Sequence, residues 1–235
     1  MRKSILFGMI IFSLLQLSPI RVQSYNIIDE VWQPTSLRAD AEIILPLTQA
    51  DLDDNGIPEE VIIDNGHASL KTNGITVWKS PSDWQVKQAV MSDLNQDGQA
   101  ELTLLVQRPY RPWPVDQWLP YGGRIADFQD SSGMSCHIIL IGWKEGRYKE
   151  IWAGSSMSQP ALVIGAADLN QDGRAELITM EGTYNHKSIF PGKAIKLWEW
   201  NGFGFSLLSS LPGEFNNFMI FKSPSNHKAT SIIVY

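Results

Sequence analysis

The sequence predicts an all-β protein, built as a propeller-like array of four-stranded antiparallel blades, and three observations lead to this prediction. Three short acidic loops recur along the chain, each between runs of β-type apolar residues. X-Gly pairs that favour tight hairpins follow the loops, at Asn73-Gly74, Glu145-Gly146 and Asn201-Gly202. The distance from each hairpin glycine to the next loop is nearly constant, at 19, 22 and 20 residues. This order predicts one structural unit per repeat.

Each unit is predicted to contribute four strands. Residues 41–47, 85–91 and 161–167 are predicted to enter the three acidic loops as the first strands of their units. In the third unit, the remaining strands are predicted at 176–182, 194–200 and 203–209.

A fourth blade is predicted from the two ends of the chain. Two further strands, near 215–221 and 229–235, are expected to join residues 25–37, and the resulting ring would leave no exposed sheet edge. Our working model is therefore four blades, and the alternatives are an open array or fewer, irregular blades. The segment 222–230 aligns as a degenerate fourth loop that lacks the acidic residues, and no metal is predicted there.

The N-terminal segment predicts export from the cell. Arg2 and Lys3 precede an apolar run at 5–17, and a plausible cleavage point lies before Tyr25. We therefore divide the chain into a signal peptide at 1–24 and a single domain at 25–235. The run is shorter than the roughly 20 apolar residues that span a bilayer, which favours a cleaved signal peptide over the alternative of a retained N-terminal anchor. No membrane span is expected after cleavage. The mature protein is expected to be secreted, or to lie at the cell surface or in the periplasm.

The charge balance and the cysteine content narrow the possible partners. The net charge is −6, and removal of the three basic residues of the signal segment, which holds no acidic ones, makes it −9. Phosphate binding needs clustered Lys and Arg, so nucleic acid is not expected as a partner. The single cysteine, Cys136, allows no internal disulfide. Bound metal is therefore the expected means of stabilisation.

The acidic loops carry oxygen-bearing side chains at positions 1, 3, 5 and 9 and a glycine at position 6. Calcium takes six to eight oxygen ligands, and the glycine permits a sharp turn that brings the carbonyl of position 7 into the shell. About three Ca²⁺ sites are therefore predicted. Their ligands are Asp51, Asp53, Asn55, Ile57 and Glu59 in the first loop, Asp93, Asn95, Asp97, Gln99 and Glu101 in the second, and Asp168, Asn170, Asp172, Arg174 and Glu176 in the third.

The acidic loops have two alternative interpretations. An EF-hand needs a bidentate Glu at position 12 and flanking helices, but position 12 is Ile62, Leu104 or Thr179 and the flanks are β-type, so the EF-hand is excluded. The other alternative is a set of ordinary Asp/Asn/Gly turns without metal. Three copies with oxygen-bearing side chains at the same spacing favour metal binding.

These loops resemble the FG-GAP repeats, also called VCBS repeats, of integrin α-chain propellers and many secreted bacterial proteins. The resemblance covers most of residues 38–235. It implies a β-propeller in which each calcium loop joins the innermost strand of a blade to the second strand. It also implies interaction with a partner more than catalysis.

The units differ mainly between their second and third strands, at the end opposite the predicted calcium loops. The longest insertion, residues 108–135, is rich in aromatic residues, Arg and Pro, which suit a preorganised contact surface. We predict a binding platform for an extracellular glycan or protein; the open alternative is a loop that buries its own aromatic residues. The predicted contact residues are Arg108, Tyr110, Arg111, Trp113, Trp118, Tyr121 and Arg124, with Tyr184 and His186 of the third unit.

The leading functional hypothesis is a secreted calcium-binding module that binds or adheres to a target without catalysis. The alternative is an extracellular polysaccharide-acting hydrolase or lyase on the same scaffold, because FG-GAP-like repeats also accompany such enzymes. A third is a structural cell-surface part without a small ligand. No catalytic residue is predicted. The enzyme's site would be sought around Tyr184, His186, Lys187, Asp116, Asp127 and Asp130.

Overall fold

The computed structural model describes residues 22–37, 39–112, 118, 128–184, 191–223 and 226–235. Across these residues the chain forms four antiparallel sheets arranged as the blades of a β-propeller. No helix in this part of the chain has both the length and the hydropathy to cross a membrane. The signal segment predicted at 1–24 lies almost wholly outside the described residues.

The strands, in chain order, are β1 (Gln23–Ile28), β2 (Val31–Thr35), β3 (Glu42–Ile44), β4 (Gln49–Ala50), β5 (Glu59–Asp64), β6 (His67–Thr72), β7 (Ile75–Lys79), β8 (Gln85–Ser92), β9 (Glu101–Pro109), β10 (Met134–Lys144), β11 (Arg147–Ala153), β12 (Ala161–Ala167), β13 (Glu176–Glu181), β14 (Gly192–Trp200), β15 (Phe205–Phe215), β16 (Phe218–Ser223) and β17 (Asn226–Val234).

Three blades follow the chain order that the repeats predict. Blade 1 is β4-β5-β6-β7, blade 2 is β8-β9-β10-β11 and blade 3 is β12-β13-β14-β15, with antiparallel neighbours throughout. The four strands predicted for the third unit are therefore confirmed. In each blade the first strand leads into an acidic loop and the third and fourth strands meet at a tight hairpin.

The fourth blade is closed by the two ends of the domain, as predicted. Its strand order is β2-β1-β17-β16-β3, so this blade has five strands, and β1 pairs with β17 through Gln23–Val234 and Tyr25–Ile232. Pairing of β1 with β17 therefore covers one edge of each strand, which would otherwise be exposed. Strand β1 begins at Gln23, so the predicted cleavage before Tyr25 would remove the first two residues of this strand.

The strand predicted at 41–47 is wrong in its pairing. Its N-terminal part, β3, pairs with β16 at the inner edge of blade 4, and only β4 pairs with β5 of blade 1. Pro46 separates the two strands. Proline has no N–H to donate to a sheet ladder, and this favours a break between the two strands here.

The core lies between the blades. One buried cluster joins blades 1 and 2, a second joins blades 3 and 4, and a third joins blades 2 and 3. Four partly buried tryptophans also pack against these clusters: Trp78, Trp152, Trp198 and Trp200. Burial of apolar faces between neighbouring sheets is thus the main stabilising contribution.

A side chain also ties two inner strands together. Gln88 on β8 donates its Nε2–H to the carbonyl of Ile164 on β12 at 2.8 Å, and its Oε1 accepts the Ile164 N–H, also at 2.8 Å. The amide therefore satisfies both backbone groups of a buried residue in the next blade. Blades 2 and 3 are held in register at the centre of the ring.

Candidate functional site

The acidic loops turn sharply because the first Asp of each binds backbone N–H groups further along. In the third loop, Asp168 accepts the N–H of Asp172 at 3.1 Å and of Gly173 at 3.0 Å. The same pair of bonds occurs in the other two loops. Gly56, Gly98 and Gly173 have φ values of 83°, 91° and 91°, where a β-carbon is disfavoured. The structure thus confirms the sharp turn that the glycine at position 6 predicts.

The Glu at position 9 supports each loop from inside the protein. Glu59, Glu101 and Glu176 are buried, and each accepts the N–H of the Leu at position 2 of its own loop, at 2.8–2.9 Å. Those leucines, Leu52, Leu94 and Leu169, are themselves fully buried. The loop is therefore anchored to the core at both ends, and a carboxylate is held beneath it.

In two of the three loops the carboxylates converge. Asp51, Asp53 and Glu59 place one ligand oxygen each within 4.8 Å of one another, and so do Asp168, Asp172 and Glu176. Converging carboxylates repel one another unless a cation or a proton lies between them. These two clusters could hold a metal ion. The second loop, although described in full, does not bring Asp93, Asp97 and Glu101 together in this way.

Burial and repulsion raise the affinity of the position 9 carboxylates in the second and third loops for a proton or a cation. Burial, with a smaller effect of Asp93 and Asp97, raises the pKa of Glu101 to about 8. Burial also raises the pKa of Glu176 to about 7, with Asp168 and Asp172 adding to the effect. The Oε2 atom of Glu101 is buried without a hydrogen-bond partner. A bound cation would replace the proton on these groups, so binding is expected to strengthen as pH rises.

Side chains at position 7 connect successive loops. Gln99 of the second loop donates from Nε2 to the carbonyl of Leu52 in the first, at 2.8 Å. Arg174 of the third loop donates to Gln96 Oε1 in the second, at 3.2 Å. The sequence assigned Gln99 and Arg174 only as backbone ligands. The sequence did not predict these two hydrogen bonds. They join residues far apart in the chain, and the spacing within one loop gives no signal for such a contact.

A tyrosine from blade 2 covers the first acidic loop. Tyr148 on β11 is buried in the cluster that includes Leu52, and its ring packs against that of Trp143, with the centroids 4.8 Å apart and the planes tilted by 59°. Burial, followed by the nearby carboxylates of Glu59 and Asp53, raises the pKa of its hydroxyl far above the ordinary value. Tyr148 therefore stays neutral beside the carboxylates. Sequence reasoning did not single it out.

A polar cleft lies at the end of blade 2 opposite its acidic loop. The Arg108 side chain is half-buried over the Trp84 ring, 6.0 Å from its centroid, and Arg111 donates to Asp83 at 2.9 Å. The cleft has a volume of about 430 Å³. It is lined by Pro81, Asp83, Trp84, Arg108, Arg111, His137 and Glu150. Two of the predicted contact residues are therefore brought together.

His137, not among the predicted contact residues, lies at the wall of this cleft. Its ring contacts the Gly154 carbonyl at 2.9 Å and the Ser135 hydroxyl at 2.8 Å. Burial lowers the pKa of His137 to about 4, and the charge of Arg108 adds to the effect. The imidazole is therefore neutral at pH 7 and shapes the cleft without adding charge.

The other predicted contact residues have different positions. Trp118 is 81% exposed, and the Tyr110 N–H donates to the Gly133 carbonyl at the base of the insertion. Tyr184 is largely enclosed; its hydroxyl donates to the Met157 carbonyl and accepts the Cys136 N–H. Trp113, Tyr121, Arg124 and His186 lie outside the described residues.

The carboxylates considered for an enzyme site give no catalytic arrangement where the structure describes them. Asp130 Oδ1 accepts hydrogen bonds from the Ser132 N–H, the Ser132 hydroxyl and the Met134 N–H. It therefore acts as the cap of the turn that leads into β10. Asp116, Asp127 and Lys187 lie outside the described residues.

Each acidic loop forms a corner between the first two strands of its blade, here called an acidic corner. Over the described residues, the fold and these corners define a four-bladed β-propeller with two candidate cation sites at one end. Comparison with known proteins finds no matching family model, no curated protein with significant similarity and no similar solved structure.

Proposed function

We propose that this protein is a secreted, calcium-stabilised propeller of the FG-GAP type that binds an extracellular glycan or protein through the loops opposite its calcium sites. The observation that carries the proposal is the convergence of three carboxylates at equivalent corners of blades 1 and 3. The acidic corners hold the scaffold, and the variable loops at the other end contact the target.

The ligand chemistry of the corners supports calcium. The donors are carboxylate and amide oxygens, which hard cations prefer, with no cysteine or histidine in any of the three loops. One oxygen of Asp53 and one of Glu101 are buried without a partner, and a buried carboxylate oxygen is costly unless a cation or a donor meets it. We assign Ca²⁺ to the first and third loops on their geometry, and to the second on the pattern of side-chain ligands that it shares with the third.

The construction of the opposite end supports a binding role there. The Arg111–Asp83 ion pair ties the start of the 108–135 insertion to the segment that joins blades 1 and 2. Arg108 is held against Trp84, so its guanidinium is positioned before any target arrives. Preorganised side chains lose less entropy on binding, and an exposed Trp such as Trp118 is a favoured contact residue.

The binding half of the proposal is tested on a glycan array and against extracellular-matrix proteins, with calcium present. We expect Trp118→Ala and Arg111→Ala to weaken binding of the best target at least tenfold. Ile75→Ala removes an exposed apolar side chain from the other end of blade 1 and serves as the control. Unchanged binding in both test variants would contradict the proposed location.

A further inference from the structure

The two arginines of the polar cleft of blade 2 differ in their partners. Arg111 lies 2.9 Å from Asp83, so the charges of these two side chains offset one another. None of the ion pairs among the described residues includes Arg108. Burial lowers the pKa of Arg108, and Glu150 opposes this effect from beyond ion-pair distance. The cleft therefore presents one guanidinium charge that no adjacent carboxylate neutralises.

The neighbouring imidazole cannot accept a hydrogen bond from Arg108. His137 Nδ1 is 2.9 Å from the Gly154 carbonyl oxygen, which only accepts, so Nδ1 carries the ring hydrogen. His137 Nε2 then accepts the Ser135 hydroxyl at 2.8 Å. Arg108 Nη2 lies 3.5 Å from Nδ1 and faces this N–H. A half-buried guanidinium whose donors are unmet within the described part of the chain favours an acceptor supplied by a ligand.

The cleft has room for a ligand and offers it a second polar group. Its volume is about 430 Å³, and an adjoining space of about 590 Å³ extends along β11 to Gly154. Arg108 and Glu150 line both spaces. Arg108 pairs with Ser135 and Glu150 with Ile141, so the two side chains enter the cleft from separate points along β10. Glu150 is exposed, and its carboxylate can accept hydrogen bonds from ligand hydroxyls.

We propose that this cleft selects a glycan that carries a uronic acid, whose carboxylate binds Arg108 and whose hydroxyls donate to Glu150. The inference rests on the proposed function, because it names the target class of the same site. A planar guanidinium binds a carboxylate through two parallel hydrogen bonds. Glu150 and the net charge of −6 disfavour a densely charged target such as an acidic peptide, whereas an isolated uronate on a neutral sugar chain suits a single arginine.

The test is calorimetric titration of the calcium-loaded full-length protein with two acidic oligosaccharides, aldotetraouronic acid and the hyaluronan tetrasaccharide. The methyl ester of each is the neutral counterpart, since it keeps the sugar hydroxyls and removes the charge. We expect saturable binding of at least one acid, at least about tenfold tighter than its ester, because a hydrogen bond to a charged group is worth about 1.5–3 kcal/mol. Raising the NaCl concentration narrows this difference.

Two variants locate the preference. Arg108→Gln is expected to bind the acid and the ester about equally. Arg147→Gln removes the same charge from an exposed position at the other end of β11 and is expected to keep the preference of the wild type. Thermal melting checks that both variants are folded, and the comparison of acid with ester in the wild type stands without them.

The outcomes separate this inference from the proposed function. Equal affinity for acid and ester, with both lost in Arg111→Ala, would overturn the uronate preference and leave the binding site in place. So would tighter binding of hexaglutamate than of either acidic sugar, or a preference that Arg108→Gln retains. Absence of binding to all these oligosaccharides would overturn the inference, and the proposed function would fall with it only if the glycan array and the matrix proteins also gave no target.

Discussion

At the scale of single residues, the Glu at position 9 has two tasks that compete. One carboxylate oxygen fixes the backbone of its loop by accepting the N–H of the buried Leu, as Glu101 does for Leu94. The second task is to carry a negative charge as a metal ligand, and a buried carboxylate charge is unfavourable when no cation is bound. The metal-free loop is therefore expected to take up a proton, and its stability depends on pH.

The sign of this dependence follows from the raised pKa of Glu101. Between about pH 4.5 and 8 the metal-free folded state binds more protons than the unfolded state, so its stability falls as pH rises. In the presence of a chelator, Glu101→Gln, which mimics the protonated form, is expected to melt about 5 °C above the wild type near pH 8.5. The difference shrinks as pH falls towards 4.5. Melting curves across this range provide the measurement, and a difference that is constant with pH would contradict the assignment.

At the scale of the strands, the ring depends on contacts that join one blade to the next. Gln88 is the clearest example, because its amide pairs with both backbone groups of Ile164 across the gap between β8 and β12. If this amide were removed, a buried N–H and a buried carbonyl would be left without partners.

Gln88→Ala is accordingly expected to lower the free energy of unfolding by about 2 kcal/mol or more, since each unsatisfied buried backbone group costs about 1–3 kcal/mol. Urea unfolding of the metal-free protein measures the change. Lys87→Ala, at the neighbouring exposed position on β8, is the matched control and is expected to stay within about 0.5 kcal/mol of the wild type. Equal losses in both variants would argue against the interblade link.

The acidic loops and the strands that flank them could be predicted from the sequence because both have a local signature. The loops are fixed by carboxylates and a glycine at set spacings, and the strands by apolar runs. Contacts such as Gln88–Ile164 and Tyr148 beside the first loop join residues from different blades, so spacing does not encode them. The pairing of residues 41–47 was missed for a related reason: Pro46 marked a break, but the partner strand β16 lies at the other end of the chain.

At the scale of the whole molecule, the two ends of the domain complete one blade. Strands β1 and β2 supply two buried side chains, Ile27 and Trp32, to the cluster that joins blades 3 and 4. They also cover the outer edge of β17. The N-terminal strands are therefore expected to be essential for the stability of the ring.

Deletion of residues 1–35 is expected to destabilise the propeller by at least about 5 kcal/mol, because the loss of one large buried side chain alone costs about 2–5 kcal/mol. It also exposes β17, so aggregation is expected. A chain that begins at Gln23 retains both strands and serves as the control. Chemical denaturation and light scattering compare the two, and equal stability would contradict closure through β1.

The central claim is that the acidic corners of blades 1 and 3 bind calcium and thereby stabilise the scaffold. Calorimetric titration and thermal melting of the metal-free protein with CaCl₂ test it most directly, on the wild type, on a double variant with Asp51→Asn and Asp168→Asn, and on Asp64→Asn as control. We expect at least two equivalents of Ca²⁺ to bind the wild type and the control. At 100 times the Kd, each site adds about 2.7 kcal/mol of stability, a gain that the double variant loses. A melting temperature that CaCl₂ leaves unchanged, or a double variant that responds like the wild type, would contradict the account.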